Sequence, residues 1–168
     1  HRTTAIVSFI NRVPLEAGVL YLSDLKPVSA FAHGGLILDK DYGGEVAEVA
    51  GRVYPKCVMI CPEPSPEGTH GEVVFELSAD RRPLTFGADI GIEELARGNG
   101  SAVFMVQTSA APDGKWETLY TSPPLRGGQE PVTVEVPLGE AKYLRLYTTD
   151  ADDGINSDHA VWGMARLR

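Results

Sequence analysis

The chain from Asp150 to Arg168 reads DADDGINSDHAVWGMARLR. Just before it, Tyr143–Tyr147 alternates in size and polarity, as a half-buried strand does. The acidic run Asp150–Asp158, which contains glycine and asparagine, therefore predicts a loop. The chain then returns through Val161–Leu167. We expect this segment to pair with the preceding strand, which would make the loop a rigidly anchored tip where binding residues commonly lie.

Length and charge limit the class of protein. The chain has 168 residues, a formal net charge of -8 and a pI near 4.9, which fits one domain over residues 1–168 with a sizeable core. An acidic chain is a poor partner for nucleic acid or an anionic membrane surface, because binding to both depends on Lys and Arg. The charge suits a neutral ligand or cations. No apolar run approaches the roughly 20 residues that cross a bilayer, and the start at His1 without methionine suggests an excised or processed domain.

Short strand signals recur along the whole chain. Roughly nine or ten segments have β-propensity, separated by turn signals about every eight to twelve residues. The first covers Thr3–Ile10, and the helical signal is a single turn within Ile92–Gly98. Four prolines between Pro55 and Pro66 cannot donate ladder hydrogen bonds, so this stretch is interpreted as a surface excursion. The pattern predicts an all-β fold, an antiparallel sandwich.

The two cysteines, Cys57 and Cys61, favour reduced and buried thiols. If the segment is extended at about 3.3 Å per residue, their Cα atoms lie about 13 Å apart, beyond the roughly 7 Å limit of a disulfide. Only a tight turn between them would permit the bond. They do not constitute a metal site, for which four ligands in paired spacing are expected.

Four stretches resemble a known family, in the order in which they occur there. The aspartate-rich loop, then Asp158 and His159, two residues, Trp162 and an apolar-basic last strand resemble the end of NPCBM domains, grouped in part as carbohydrate-binding module family 51. The other three stretches resemble the family's opening motif, the short turn after it and its middle strand, in that order: Tyr21–Leu25, Asp39–Gly44 and Phe86–Ile92.

The resemblance implies a two-sheet jelly-roll β-sandwich that acts as a non-catalytic carbohydrate-binding module. It further implies a galactose-containing glycan as ligand, a glycoside hydrolase as the neighbouring domain, and an extracellular or secreted protein. The alternative is a protein-interaction or structural sandwich that has lost sugar binding. One departure favours it, because Lys56 is followed by Cys57, and Cys61-Pro62 stands where the family has His-Ala. An insertion follows that contains His70, which is one way to replace the missing contact.

Catalytic signatures are missing from the sequence. No G-x-S-x-G, H-E-x-x-H or Walker A motif occurs. A retaining glycosidase needs two carboxyl groups about 5 to 5.5 Å apart, and no spacing among the acidic residues identifies such a pair. We therefore expect no enzyme activity. The four histidines are scattered without metal-ligand spacing: His1, His33, His70 and His159.

The acidic loop offers the oxygen ligands that calcium prefers. The spacing departs from the EF-hand pattern, because Gly154 falls one position early and no glutamate takes the twelfth position. Two interpretations stay open, a structural calcium site or a solvated loop whose aspartates form turns with their own backbone. The candidate donors are Asp150, Asp152, Asp153, Asn156 and Asp158, with Asp39 and Asp41 as further ligands from the other glycine turn.

A sugar site needs an aromatic platform and polar groups that bond to hydroxyls. Trp116, Trp162 and Tyr120 are the candidate platforms, although Trp162 equally suits the core and Trp116 hairpin packing. Asp158 and His159 either face the ligand or hold the loop. We predict that one end of the sandwich, built from this loop and its neighbours, receives a terminal sugar. Three more residues are candidates for contacts there, the last of them expected to be exposed at the tip of the proline-rich excursion: His33, Lys56 and His70.

Overall fold

The computed structural model describes residues 12–82 and 84–168, so the first predicted strand, Thr3–Ile10, lies outside the described residues. Helical structure within them is limited to short 3-10 turns, and the turn predicted within Ile92–Gly98 is confirmed. No helix in the described ranges is long and apolar enough to span a membrane. The 3-10 turns cover Leu22–Asp24, Ala79–Arg81 and Glu94–Ala96, and the strands are β1 (Leu20–Tyr21), β2 (Ser29–Phe31), β3 (Ile37–Leu38), β4 (Ala47–Val49), β5 (Arg52–Tyr54), β6 (Cys57–Met59), β7 (His70–Glu76), β8 (Leu84–Ile92), β9 (Ser101–Ser109), β10 (Glu117–Thr121), β11 (Leu125–Arg126), β12 (Val132–Gly139), β13 (Tyr143–Thr149) and β14 (Ala160–Leu167).

The strands form two sheets that pack face to face around one large core cluster. The first sheet has the order β12-β8-β14-β6-β3, with β1 beside β14, and the second has the order β10-β9-β13-β7-β2, with β11 beside β9. A separate hairpin joins β4 and β5. Every pairing between these strands is antiparallel. The predicted all-β, antiparallel two-sheet jelly-roll sandwich is confirmed.

Sequence alternation decides which face of each strand enters the core. In β13, Leu144, Leu146 and Thr148 are buried, whereas the residues that alternate with them are partly exposed. Trp162 of β14 is fully buried, and its ring meets Phe86 and Phe104 edge-on at centroid distances of 5.9 and 5.2 Å. Phe86 belongs to the first sheet and Phe104 to the second. Of the two roles open to Trp162, the structure therefore shows the core role, as a contact between the sheets.

The expectation that the last two strands pair with each other is wrong. β13 pairs with β7 and β9 in the second sheet, whereas β14 pairs with β1, β6 and β8 in the first. Alternation predicts a strand but not the sheet it joins, and β14 is buried along nearly its whole length, which suits a central position. Residues 150–159, which we call the crossover loop, therefore connect the centres of opposite sheets at one end of the sandwich.

The proline-rich stretch is a surface excursion only in its second half, so that prediction is partly wrong. Cys57–Met59 forms β6 in the first sheet, and Cys61 and Pro62 are buried. The prolines lie outside β6, so its ladder does not need the N–H groups that they lack. Both cysteines are free and buried, as predicted, and burial raises the pKa of each thiol to about 12.

Candidate functional site

A cleft opens at the end of the sandwich that carries the crossover loop. Its volume is about 250 Å³, and Ile155–His159 contribute much of its lining. The remaining residues come from loops that follow β2, β3 and β6. We call this depression the end cleft, and these further residues are His33, Tyr42, Cys61 and Pro62.

Three rings at the end cleft lie nearly parallel. The ring of Tyr42 stacks on that of His159 at a centroid distance of 4.8 Å and an angle of 15°. It lies 6.3 Å from the ring of His33 at an angle of 9°. Tyr42 remains 39% exposed. The cleft therefore combines a partly exposed aromatic ring with two imidazoles that can bond to hydroxyl groups.

A buried carboxylate fixes the position of His159. Glu93 is 1% exposed, and its Oε1 lies 2.6 Å from Nδ1 of His159. Its two oxygens also accept hydrogen bonds from the backbone N–H of Tyr42 at 3.3 and 3.4 Å. The contact at Nδ1 is close but falls outside hydrogen-bond geometry, and because Glu93 occupies that side of the ring, the other ring nitrogen of His159 remains for a ligand. One carboxylate thus orients both the histidine and the loop that carries the tyrosine.

His33 forms a second, more exposed pair at the rim of the end cleft. Its Nδ1 contacts the carboxylate of Glu63, which belongs to the insertion after β6. Its backbone N–H donates a hydrogen bond to the carbonyl oxygen of Cys61 at 2.8 Å. These two contacts join the loop after β2 to the segment after β6, and they hold the His33 ring beside the cleft.

Asp158 holds the crossover loop in place while it also lines the end cleft. The residue is 2% exposed, and its Oδ1 accepts a hydrogen bond from the backbone N–H of Ser101 at 2.8 Å. Within residues 12–82 and 84–168, its Oδ2 has no hydrogen-bond partner. Burial raises the pKa of Asp158 to about 7, although the Ser101 hydrogen bond opposes the shift. Of the adjacent pair, Asp158 therefore has a structural contact and His159 presents a free ring nitrogen.

The crossover loop rests directly on the start of β9. At Gly100, where φ is +85°, a Cβ atom would lie 2.0 Å from the carbonyl oxygen of Ser157. Beside it, the Ser101 hydroxyl donates a hydrogen bond to Oδ2 of Asp153 at 2.5 Å. Only glycine fits this backbone conformation and this close approach. The segment before β9 therefore positions the backbone of the loop.

Asp150 and Asp153 of the crossover loop bond to different groups around them and not to a common centre. Asp150 accepts a hydrogen bond from the backbone N–H of Asp152 at 3.0 Å, as in a local turn. Asp153 lies 3.6 Å from the guanidinium of Arg126. In the part of the chain that the structure describes, no three His, Cys, Asp or Glu side chains form a group suited to a metal ion. These donors do not fit a preformed calcium site.

A calcium site and a solvated loop stay open as the two interpretations of the crossover loop, and melting curves distinguish them. An ion at a hundredfold excess over its dissociation constant stabilises a protein by about 2.7 kcal/mol, which corresponds to several degrees for a domain of this size. Because Asp150 and Asp153 are already bonded within the chain, we expect curves in chelator and in calcium to superimpose. A rise of several degrees in calcium would instead establish an ion site.

Trp116 lies away from the end cleft, so it packs as a hairpin residue. Its ring lies under the guanidinium of Arg145, 4.5 Å from the ring centroid, on the outer face of the second sheet. The following residue, Glu117, pairs with Thr108, and Thr108 pairs with Leu144. The crossover loop begins six residues beyond Leu144, about 20 Å along the strand. The structure does not bring Trp116 together with His159.

Lys56 and Asp39 lie together near the opposite end of β6. The Lys56 ammonium pairs with Asp24 at 2.5 Å and with Asp39 at 3.3 Å. Cys61, which lines the end cleft, is five residues further along an extended segment, about 16 Å away. Among the described residues, no hydrogen bond or ion pair joins Lys56 or Asp39 to the crossover loop, and their roles at the site stay predictions.

The expectation that His70 is exposed is wrong. His70 is buried, and its ring stacks on Tyr147 at 5.1 Å and lies 4.9 Å from Phe31. It begins β7, whose outer face is covered here by these two rings. His70 therefore cannot replace a contact in the end cleft from this position.

Tyr42 and Glu93 are the residues of this site that the sequence does not single out. Tyr42 stands in the stretch Asp39–Gly44, where the two glycines indicate only a turn. Glu93 stands beside Glu94, which is exposed, and no local pattern distinguishes the buried glutamate from its neighbour. Glu93 contacts Tyr42 across 51 residues of chain, so its burial depends on the folded structure.

The chain is similar to known sequences along most of its length. The family model described as NPCBM/NEW2 domain matches residues 18–168. A Renibacterium salmoninarum protein named "Putative endo-alpha-N-acetylgalactosaminidase" is 30% identical over 157 residues. That match covers 88% of this chain and 9% of the relative, so the chain corresponds to a small part of a longer protein.

Two solved structures from Clostridium perfringens have a similar fold. CBM51 from GH95, in complex with methyl-galactose, is 25% identical with a TM-score of 0.74, covering 89% of this chain and 99% of that one. The M60 catalytic domain with the CBM51-1 and CBM51-2 domains of ZmpB is 28% identical with a TM-score of 0.72, covering 89% of this chain and 15% of that one. The sandwich described above is thus a fold already seen with a sugar bound.

Proposed function

The chain belongs to the NPCBM/NEW2 domain family, and from that membership we propose that its end cleft binds the terminal sugar of a galactose-containing glycan. It is a non-catalytic carbohydrate-binding module, of a family found attached to glycoside hydrolases. What remains to be established is the sugar, the residues that contact it and the setting in which the module works.

The observation that carries the proposal is the stacked pair of Tyr42 and His159, held by the buried Glu93. A ring face covers the C–H groups of a pyranose, and an imidazole nitrogen bonds to a hydroxyl. The pair therefore supplies both kinds of contact that a sugar requires. Because Glu93 positions the pair before the ligand arrives, little ordering entropy is lost on binding. A cleft of about 250 Å³ suits a single sugar ring.

Galactose is the proposed sugar because a similar CBM51 structure holds methyl-galactose, and this chain covers 99% of that module. The Renibacterium salmoninarum relative is named as an endo-alpha-N-acetylgalactosaminidase, and this name supports the same class of sugar. In the full-length protein we propose an attached glycoside hydrolase that works outside the cell. Weak binding by the module would raise the effective concentration of that enzyme at its substrate.

Titration calorimetry with two epimers tests the ligand. We expect methyl-galactoside to bind with a dissociation constant between about 10 µM and 1 mM, since a small neutral ring offers few contacts. Methyl-glucoside differs at the C4 hydroxyl, and we expect it to bind at least about tenfold more weakly, the effect of one lost hydrogen bond. Equal affinities for the two epimers would contradict the galactose assignment.

The alternative, a protein-interaction or structural sandwich without sugar binding, is favoured by Cys61 and Pro62. Both are buried and line the end cleft with apolar surface where the family has His-Ala. In the galactose proposal, the neighbouring His33 supplies an imidazole at this position. The test is a glycan array probed with folded protein. Binding to none of its sugars would favour the alternative.

A further inference from the structure

We propose that a second, neutral sugar residue of the glycan binds in a groove beside the end cleft, across the rim formed by Asn156 and Ser157. The inference rests on the proposed function. This side groove has a volume of about 590 Å³, and both Asn156 and Ser157 also line the end cleft. Because the two depressions share this rim, a glycan whose terminal sugar fills the end cleft reaches the side groove with its next residue.

The lining of the side groove has the chemistry of a sugar subsite. The Arg126 side chain is 64% exposed, and it lies 3.6 Å from the carboxylate of Asp153. A guanidinium beside a carboxylate offers donors next to acceptors, which matches two neighbouring hydroxyls of a sugar. Asn99 and Asn156 are exposed in the same lining and add amide donors and acceptors.

The floor of the side groove is held rigidly by close backbone contacts. A Cβ atom at Gly127 would lie 2.1 Å from the carbonyl oxygen of Asn99, and one at Gly100 would lie 2.0 Å from that of Ser157. The backbone N–H of Gly127 donates a hydrogen bond to the carbonyl oxygen of Gly100 at 3.0 Å. Three loops thus meet backbone to backbone under Arg126. A ligand there meets groups that are already positioned, which reduces the entropy lost on binding.

The charge around the side groove favours a neutral sugar over an acidic one. The Arg126 charge is offset by Asp153, its neighbour at 3.6 Å. Asp150 and Asp152 lie on the same crossover loop, and the chain carries a net charge of -8. An added carboxylate or sulfate would meet this negative surface, so repulsion opposes its binding.

Calorimetry with galactose-terminated disaccharides tests this subsite against methyl-galactoside. The set joins galactose to a neutral hexose through different linkages and positions. We expect at least one disaccharide to bind about three- to tenfold more tightly than methyl-galactoside. One or two further hydrogen bonds provide a gain in affinity of this size. In Arg126→Ala we expect the ratio of the two affinities to fall to about one. Arg81→Ala is the matched control, because Arg81 is exposed on the 3-10 turn after β7, at the opposite end of the sandwich, and should leave the ratio unchanged.

Each outcome separates the second subsite from the first. Disaccharides that bind no better than methyl-galactoside, or a gain that survives Arg126→Ala, would overturn the second subsite and leave the end cleft intact. Preferential binding of sialylated or sulfated forms would show that Arg126 recognises an anion, which contradicts a neutral sugar. Absence of methyl-galactoside and disaccharide binding in the wild type would overturn the proposed function and this inference with it.

Discussion

We expect the His159→Asn variant to lose measurable galactoside binding while it unfolds at nearly the wild-type temperature. The asparagine amide reaches the position of the histidine Nδ1 and keeps a donor beside Glu93, whose Oε1 lies 2.6 Å from that nitrogen. It lacks the second ring nitrogen and the ring that stacks on Tyr42 at 4.8 Å. Loss of the hydrogen bond to the sugar costs about 1–3 kcal/mol, or roughly 5- to 160-fold in affinity, whereas the lost stack is a contact within the protein and lowers the melting temperature by a few degrees at most. A ligand that binds weakly in the wild type then falls below detection.

Two controls separate binding from folding in this experiment, with calorimetry and melting curves measured on each variant. His159→Ala removes the donor beside the buried Glu93 carboxylate, so we expect it to lower the melting temperature as well as to abolish binding. Trp116→Ala removes an aromatic residue from the far end of the second sheet and should leave binding unchanged. Wild-type affinity in His159→Asn would place the sugar outside the end cleft.

We expect Gly100→Ala to destabilise the whole domain and to open both depressions beside the crossover loop. A methyl group there would lie 2.0 Å from the Ser157 carbonyl oxygen, and φ at this position is +85°. A left-handed conformation costs an alanine about 1–2 kcal/mol, and the overlap adds about 1–3 kcal/mol as the loop is displaced. The sum lowers the melting temperature by roughly 4–20 °C for a domain of this size, and galactoside binding should weaken in parallel.

Gly128→Ala is the matched control for the overlap. Gly128 has the same φ of +85°, but a Cβ atom there would meet nothing within 4 Å. The control therefore carries the cost of the backbone conformation alone. Equal melting temperatures for the two variants would mean that the contact between Gly100 and Ser157 does not hold the crossover loop.

The sandwich could be predicted from the sequence because strand patterning is local. Alternation in Tyr143–Tyr147 and the turn residues around it needs no knowledge of the rest of the chain. The partners of β14 could not be predicted, because a strand buried on both faces is compatible with either sheet. Proximity along the chain favours pairing of β14 with β13, but the two strands lie in opposite sheets.

The candidate site was predictable only where a residue lies in a loop at the correct end of its strand. His33 and His159 both line the end cleft. Lys56 and Trp116 miss it because they lie about 16 Å and about 20 Å away along a strand, and direction along a strand follows from the pairings. Glu93 could not be found, since its burial comes from contacts with distant loops.

The central place of β14 in the first sheet has a consequence for how the chain folds during synthesis. β6 and β8 pair with β14 and not with each other, so both present open edges until residues 160–167 have left the ribosome. The first sheet therefore closes late and through contacts between residues far apart in the chain, which makes folding slow. Unpaired edges invite aggregation in the meantime, so nascent chains that stall before β14 should depend on chaperones more than completed ones.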